Sequence, residues 1–232
     1  MRYMRSRRKR IRRGGGAYSP SNEAGNILWL DSSDSNTITE VLGAVSQWDD
    51  KSGQGNHAVQ ATGAEQPTTN ATTQNGKNVL DFDGTDDRIV STFGSTLTQP
   101  NTVFITGKYD VITAAYMFDG IDASNRNALF NDTSLFTAFA GSSLQGDAMD
   151  TDFHVLEVIF NGVSSSIRLD AGTATTGDAG ADSLTGLTIG SRYSGTSALD
   201  GSIGEALVYN GLLDTAAKAR VNTYLMNGWG VS

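Results

Sequence analysis

The chain has 232 residues, no cysteine, and 17 Lys and Arg against 25 Asp and Glu, for a net charge of −8. The missing thiols exclude a disulfide framework and a thiolate metal centre. No window of eighteen apolar residues is present, so a membrane-spanning helix is not expected. The 27 glycines, the 3 prolines and abundant Ser, Thr, Asn and Asp suit many tight turns between short strands, and 38% apolar residues suffice for a core. An all-β sandwich or barrel is therefore predicted.

The chain opens on a basic run. Arg2, Arg5, Arg7, Arg8, Lys9, Arg10, Arg12 and Arg13 place eight cations in the first thirteen positions, with no acid among them. The remainder carries nine cations against twenty-five acids, a net charge of −16. Like charges in a block repel one another until a partner of opposite sign receives them, so residues 1–16 are expected to be an extended arm. Gly14, Gly15 and Gly16 form its hinge before a single domain over 17–232. The residues after the arginines are glycine and polar rather than an apolar run, which argues against a secretory or twin-arginine signal.

Short β-like runs then succeed one another at 26–30, 44–48, 57–60, 78–82, 88–90 and 102–107, near 115, and at 127–130, 135–140, 153–162, 165–171, 187–190 and 202–210. Alternation is clearest in HVLEVIF, where His154, Leu156, Val158 and Phe160 share one face. Asn161-Gly162 predicts a two-residue type I′ turn into a strand with Ile167 and Leu169 on one side. The glycine- and threonine-rich segment 171–186 reads as a surface loop. One helix is expected at the end, capped by Asp214, with Ala217, Val221, Tyr224 and Leu225 as its apolar stripe and Gly228 as its stop.

Four stretches in order, ILWLDSSDSNTIT, VSQWDDKSGQGNHAVQAT, NGKNVLDFDGTDDRIV and LDGSIGEALVYNGLLDTAAKARVNTYLMNGWG, resemble landmarks of the laminin G-like (concanavalin A-like) jelly-roll family, in particular its bacterial and phage branch. The resemblance covers about residues 27–230. It implies a two-sheet antiparallel jelly-roll sandwich with one C-terminal α-helix lying on the outside. The residues agree: Trp48 can anchor a loop in the core, Gly53 and Gly55 allow positive φ, and Asp49, Asp50 and Asn56 can bond neighbouring backbone. Leu80 and Phe82 point one way, ahead of a polar turn at Asp83-Gly84.

Sugar-cleaving members of the wider superfamily need two carboxylates across one glycosidic bond. The five glutamates, Glu23, Glu40, Glu65, Glu157 and Glu205, are widely separated, and the chain is not expected to be an enzyme. His57 and His154 lack the spacing of a zinc site. No cofactor is required, but the resemblance implies Ca²⁺ at a loop rim in such domains, and Asp119, Asp122, Asn125 and Asn127 offer oxygen ligands close together. Arg192 and Tyr193 are candidates for a ligand rim.

The arm can meet phosphates through counterion release or fit an acidic protein groove. Tyr3 alone gives little support to stacking on a single strand. The expected function is a structural protein of a virus or phage particle. It would be a capsid decoration protein, anchored through its arm to the major capsid protein or other virion subunits and displayed in multiple copies on the particle surface. A tail or tail-fibre attachment component that binds host glycans, or a stand-alone extracellular carbohydrate-binding module, is the alternative. Nucleic acid is a less favoured partner, and no membrane is expected.

Overall fold

A computed structural model describes residues 18–232; the arm and its hinge lie outside the described residues. The strands are β1 (Asn26–Asp31), β2 (Ile38–Val41), β3 (Ala44–Trp48), β4 (Ala58–Val59), β5 (Thr68–Gln74), β6 (Lys77–Asp83), β7 (Ile89–Leu97), β8 (Asn101–Tyr109) and β9 (Ala115–Asp119). They continue as β10 (Ala128–Asp132), β11 (Leu135–Phe139), β12 (Ser143–Ala148), β13 (His154–Phe160), β14 (Ser165–Leu169), β15 (Thr175–Gly177), β16 (Leu184–Ile189) and β17 (Asp200–Asn210), before helix α1 (Thr215–Trp229).

All strand pairings are antiparallel, and they make two sheets. The first runs β5–β6–β17–β8–β13–β14–β15, with β1 beside β17 beyond the end of β6. The second runs β4–β7–β16–β9–β10–β11–β12. Strand β3 bonds to β2, β4 and β5 and so ties the sheets together along one edge. Between the layers, Ile105, Leu156 and Val208 from the first sheet meet Met117, Leu129 and Phe136 from the second in one buried cluster. This is the all-β jelly-roll sandwich with a single C-terminal helix that the sequence predicts.

The alternation in HVLEVIF is only half of what that strand does, because every residue of β13 is buried. Leu156, Val158 and Phe160 enter the inter-sheet core, whereas Val155 joins a second cluster with Val221, Leu225 and Trp229 of α1. The helix therefore covers the outer face of the first sheet. Asp214 caps it by accepting from the Ala217 N–H at 2.7 Å. It runs through Gly228 and stops at Gly230, which takes the left-handed conformation (φ 72°) and donates to the Met226 carbonyl.

Three local expectations are corrected. The β13–β14 connection is a 3₁₀ turn over Gly162–Ser164 rather than a type I′ turn. There the Ser165 hydroxyl donates to the Gly162 carbonyl and accepts from the Asn161 N–H, and Gln99 accepts from the Gly162 N–H. These side-chain bonds compete with the tight turn that the dipeptide alone favours. Segment 171–186 is not all surface loop: it holds β15 and the start of β16, and Ala179 is fully buried. Strands β2, β5, β12 and β15 escape the sequence reading; in β5 the residues TTNATTQ are polar and mostly exposed, and cross-strand pairing rather than propensity holds them.

The first described residues lie against α1. Tyr18 meets Tyr224 with ring centroids 5.7 Å apart. The Tyr209 hydroxyl donates to the Pro20 carbonyl at 3.1 Å, and Arg220 grips Glu23 with two bonds of 2.7 and 2.8 Å. The described residues thus begin on the helical side of the body.

Candidate functional site

Strand β9 delivers Asp119 to the rim of the second sheet, fully buried. Its carboxylate accepts from the Gly120 N–H at 2.8 Å, the Tyr193 N–H at 3.2 Å, and the Arg126 guanidinium at 2.8–3.2 Å through Nε and Nη2. Burial opposes the charge on Arg126, but the bonds and charge of Asp119 outweigh it and raise the guanidinium's pKa further. Held this way, the guanidinium lies 4.8 Å from the Phe139 ring centre, 5.2 Å from Tyr193 and 6.0 Å from Tyr116. Tyr116 and Phe130, opposite one another on β9 and β10, stack at 4.7 Å and 21°. The Arg192 guanidinium also lies 5.2 Å from the Tyr193 ring centre.

Tyr116, Phe130 and Phe139 are half-buried and alternate along their strands with the core residues Met117, Leu129 and Ala138. They therefore face outward from the second sheet, away from the side that α1 covers. A cation fixed among aromatic faces, with rings open at the edge, is an arrangement that can bind a flat, hydroxylated or partly apolar ligand by stacking and by donated hydrogen bonds. The structure thus joins two sets of residues that the sequence treats separately, Asp119 from the oxygen cluster and Arg192–Tyr193 from the rim. Arg126 is the residue that unites them, and the sequence reading missed it. The signal was present in its place in FDGIDASNRN, seven positions after a carboxylate that ends an apolar strand.

The oxygen cluster is engaged otherwise than a calcium site requires. Asp122 accepts from the Ser124 and Asn125 backbone, the Asn125 amide and the Thr185 hydroxyl, and these bonds hold its pKa below the usual carboxylate range against a small burial penalty. Asn127 is fully buried and bonds inward to the Asp182 carbonyl at 2.9 Å. Asp119 is consumed by Arg126. Among the described residues, the acidic groups that do gather are Asp83, Asp86 and Asp87, with ligand atoms within 4.8 Å of one another. Burial and the neighbouring Asp83 charge push Asp87 up to about 7, and it also accepts from the Asp83 N–H.

Glu205 and Glu157 are both buried beneath the helix. Glu205 accepts the indole N–H of Trp29 at 2.7 Å and of Trp229 at 3.0 Å, and Glu157 accepts from Arg168 at 2.7 Å and Asn222 at 2.6 Å. His154 sits between Asp170 at 2.6 Å and Asp150 at 2.9 Å. Burial disfavours the charged ring, but the bonds to Asp170 and Asp150 prevail and raise it from 6.5 to about 9. A histidine with a raised folded-state pKa contributes stability that is full below its unfolded value near 6.5 and is lost as pH rises through 9. Glu205, pushed up to about 7 by burial, acts in the same direction over 4.5 to 7. The urea midpoint is therefore expected to fall between pH 6 and 9.5, and to fall less in His154→Gln; a midpoint that rises over that interval would contradict the assignment.

No family model and no curated protein matches the chain. Solved structures do. The receptor binding domain of botulinum neurotoxin D is similar with a TM-score of 0.58 at 10% identity, over 90% of this chain and 54% of that one. A second structure of the serotype D binding domain gives 0.56 at 9%, over 90% and 53%. Trypanosoma rangeli sialidase in complex with sialic acid gives 0.58 at 14% identity, over 88% of this chain and 33% of that one. The chain thus spans about half the length of the toxin domains and a third of the sialidase. These likenesses define the fold as a β-sandwich of lectin-like type.

They also correct one expectation. The lack of paired glutamates was the ground for excluding an enzyme, yet the neighbours include sialidases, a class that works through a tyrosine nucleophile rather than a carboxylate pair. The exclusion does not stand.

Proposed function

We propose that the chain is a structural subunit of a virus or phage particle, a capsid decoration protein of the laminin G-like bacterial and phage type, held by its basic arm and displaying the jelly-roll on the surface. The observation that supports this reading is that the first described residues and the aromatic face around Arg126 lie on opposite sides of the sandwich. The residues after the arm dock on the α1 side, through Tyr18, Pro20 and Glu23. The aromatic face around Arg126 lies on the opposite sheet. An acidic body repels an acidic acceptor that its basic arm attracts, so attachment is directed to one end of the chain. Seven arginines to one lysine in the arm favour bidentate grips on carboxylates or phosphates, with the major capsid protein as the acceptor.

The outward face supports recognition of cell-surface glycans, in line with the lectin-like fold. Many copies on one particle would turn weak single contacts into useful avidity. The test is to change Arg7, Arg8, Arg10, Arg12 and Arg13 together to Ser. The variant is expected to keep a β-rich circular dichroism spectrum and to leave the particle, and raised salt is expected to loosen the unmodified chain in the same direction. Full occupancy of the variant at every salt concentration would mean that the body makes the attachment.

A further inference from the structure

Four Asn-Gly dipeptides occur in the chain, at 75–76, 161–162, 210–211 and 227–228. The pair is chemically labile, because a glycine without a Cβ lets its backbone nitrogen reach the asparagine side-chain carbonyl and close a five-membered ring. Ring closure needs that nitrogen free and the peptide between the two residues able to rotate, and the four sites differ in both respects. The Gly162 N–H is tied to Gln99 Oε1 at 2.7 Å. Gly228 lies inside α1, where its N–H belongs to the helical ladder. The Asn210–Gly211 peptide is held from both sides: the Asn210 N–H donates to the Gly25 carbonyl at 2.8 Å, and the Gly211 carbonyl accepts from the Thr102 hydroxyl at 2.9 Å. The Asn210 carbonyl packs so closely on Gly25 that a Cβ there would lie 2.6 Å from it.

Asn75 and Gly76 stand apart from these. They form the two-residue turn between β5 and β6, beyond the pair Gln74 and Lys77, with φ of 50° and 71° as a type I′ turn requires. Both are exposed. The Gly76 N–H has no hydrogen-bond partner among the described residues, and nothing lies within 4 Å of the place a Cβ on Gly76 would take. An exposed turn with so few contacts opens locally at small cost. The same asparagine also has a structural task. Its Nδ2 donates to the Gly228 carbonyl at 3.1 Å, and Gln74 Nε2 donates to the Trp229 carbonyl at 2.9 Å. The hairpin tip thus caps the C-terminal end of α1, whose last carbonyls lack helical partners and carry partial negative charge.

We propose that Asn75 is a site of spontaneous deamidation and that its conversion uncaps the last turn of α1. The Gly76 nitrogen, giving its proton to water or hydroxide, attacks the side-chain carbonyl carbon of Asn75. A C–N bond forms there, and the amide nitrogen takes up a proton and leaves as ammonia, which produces a succinimide. Water then opens the ring at one of its two carbonyls to give aspartate or isoaspartate, so the net change is amide plus water to carboxylic acid plus ammonia. An amide that donates becomes an ionised carboxylate that only accepts, and it faces the Gly228 carbonyl. Its charge has the wrong sign for that end of a helix. Trp229, part of the cluster that joins α1 to the first sheet, sits in the turn that loses its cap. The proposal involves neither the arm nor the aromatic face and stands apart from the proposed function.

Two measurements on the full chain test it. Peptide mapping by mass spectrometry during incubation at about pH 8 follows all four asparagines at once. Asn75 is expected to convert at least tenfold faster than Asn161, Asn210 and Asn227, to a mixture of aspartate and isoaspartate. Amide hydrogen exchange then compares the unmodified chain with Asn75→Asp, a change at an exposed turn that leaves the sandwich folded. Exchange over residues 226–230 is expected to be at least fivefold faster in the variant, with the strands of the inter-sheet core unchanged. Conversion at any of the other three sites ahead of Asn75, no conversion of Asn75, or the same exchange over 226–230 in Asn75→Asp as in the unmodified chain would overturn the proposal.

Discussion

Trp229→Ala is expected to lower the stability of the protein by about 3–5 kcal/mol, the range for truncating a large buried aromatic. Trp229 is fully buried at the end of α1, stacks on Phe153 at 5.6 Å, and donates to Glu205. Its removal opens a cavity between helix and sheet and takes one of two indole donors from a carboxylate that burial already pushes up to about 7. The close approach of the ring to the backbone at Gly204, where even a Cβ would lie 2.7 Å from it, shows how little room there is for neighbours to collapse into the gap. Urea denaturation measures the change. A loss below about 1 kcal/mol would mean that the helix is an accessory to the sandwich rather than part of its packing.

Asp119→Ala is expected to cost a similar amount, about 3–5 kcal/mol, for a different reason. The Asp119–Arg126 pair is buried, with side chains 0% and 11% exposed. Deleting the acid leaves a guanidinium without compensation in a low-dielectric setting, which costs far more than the pair itself contributes. The same change frees Arg126 from the rings of Phe139 and Tyr193, so loss of stability and loss of ligand binding at the aromatic face should appear together. Asp119→Ala with Arg126→Met should recover part of the stability, because the stranded charge is then gone. If the double variant is no more stable than the single one, the cost of Asp119→Ala comes from its backbone bonds to Gly120 and Tyr193 instead.

The sandwich was legible because its core strands carry apolar residues at the period of a strand, as in NILWL, NVLDF and TVFITG. It was legible also because the polar loop after Trp48 holds the hydrogen-bonding residues that such a loop needs: Asp50 accepts from Trp29, Ser52 and Asn56 backbone, as its position suggested. The helix was legible from Asp214 and the stripe after it, although its end was placed two residues early. Glycine marks a stop only where the backbone turns left-handed, and that happens at Gly230. Strands such as β5 were hidden because most of their side chains are polar and exposed, and their order comes from pairing with a neighbouring strand, as β5 does with β6 across residues 75–76.

The site was less legible, for the same kind of reason. Arg126 matters through Asp119, Phe139 and Tyr193, which lie seven, thirteen and sixty-seven positions away, and no spacing rule joins them. Asp119, Asp122, Asn125 and Asn127 look alike in sequence as oxygen donors. Burial separates them, giving Asp119 to a cation, Asp122 to its own loop and Asn127 to the interior. Glu157 and Glu205, two of the widely separated glutamates among which no catalytic pair was found, bind helix to sheet, a use that became visible once Asn222 and Trp229 stood opposite them.

The most direct test of the proposed function is a cryo-electron microscopy map of the assembly to which the chain is bound in its native source. The account predicts density for residues 1–16 threaded into neighbouring subunits, the α1 side turned toward the particle, and Tyr116, Phe130 and Phe139 facing outward. Density showing the aromatic face buried against the particle, with the basic arm in solvent, would contradict it.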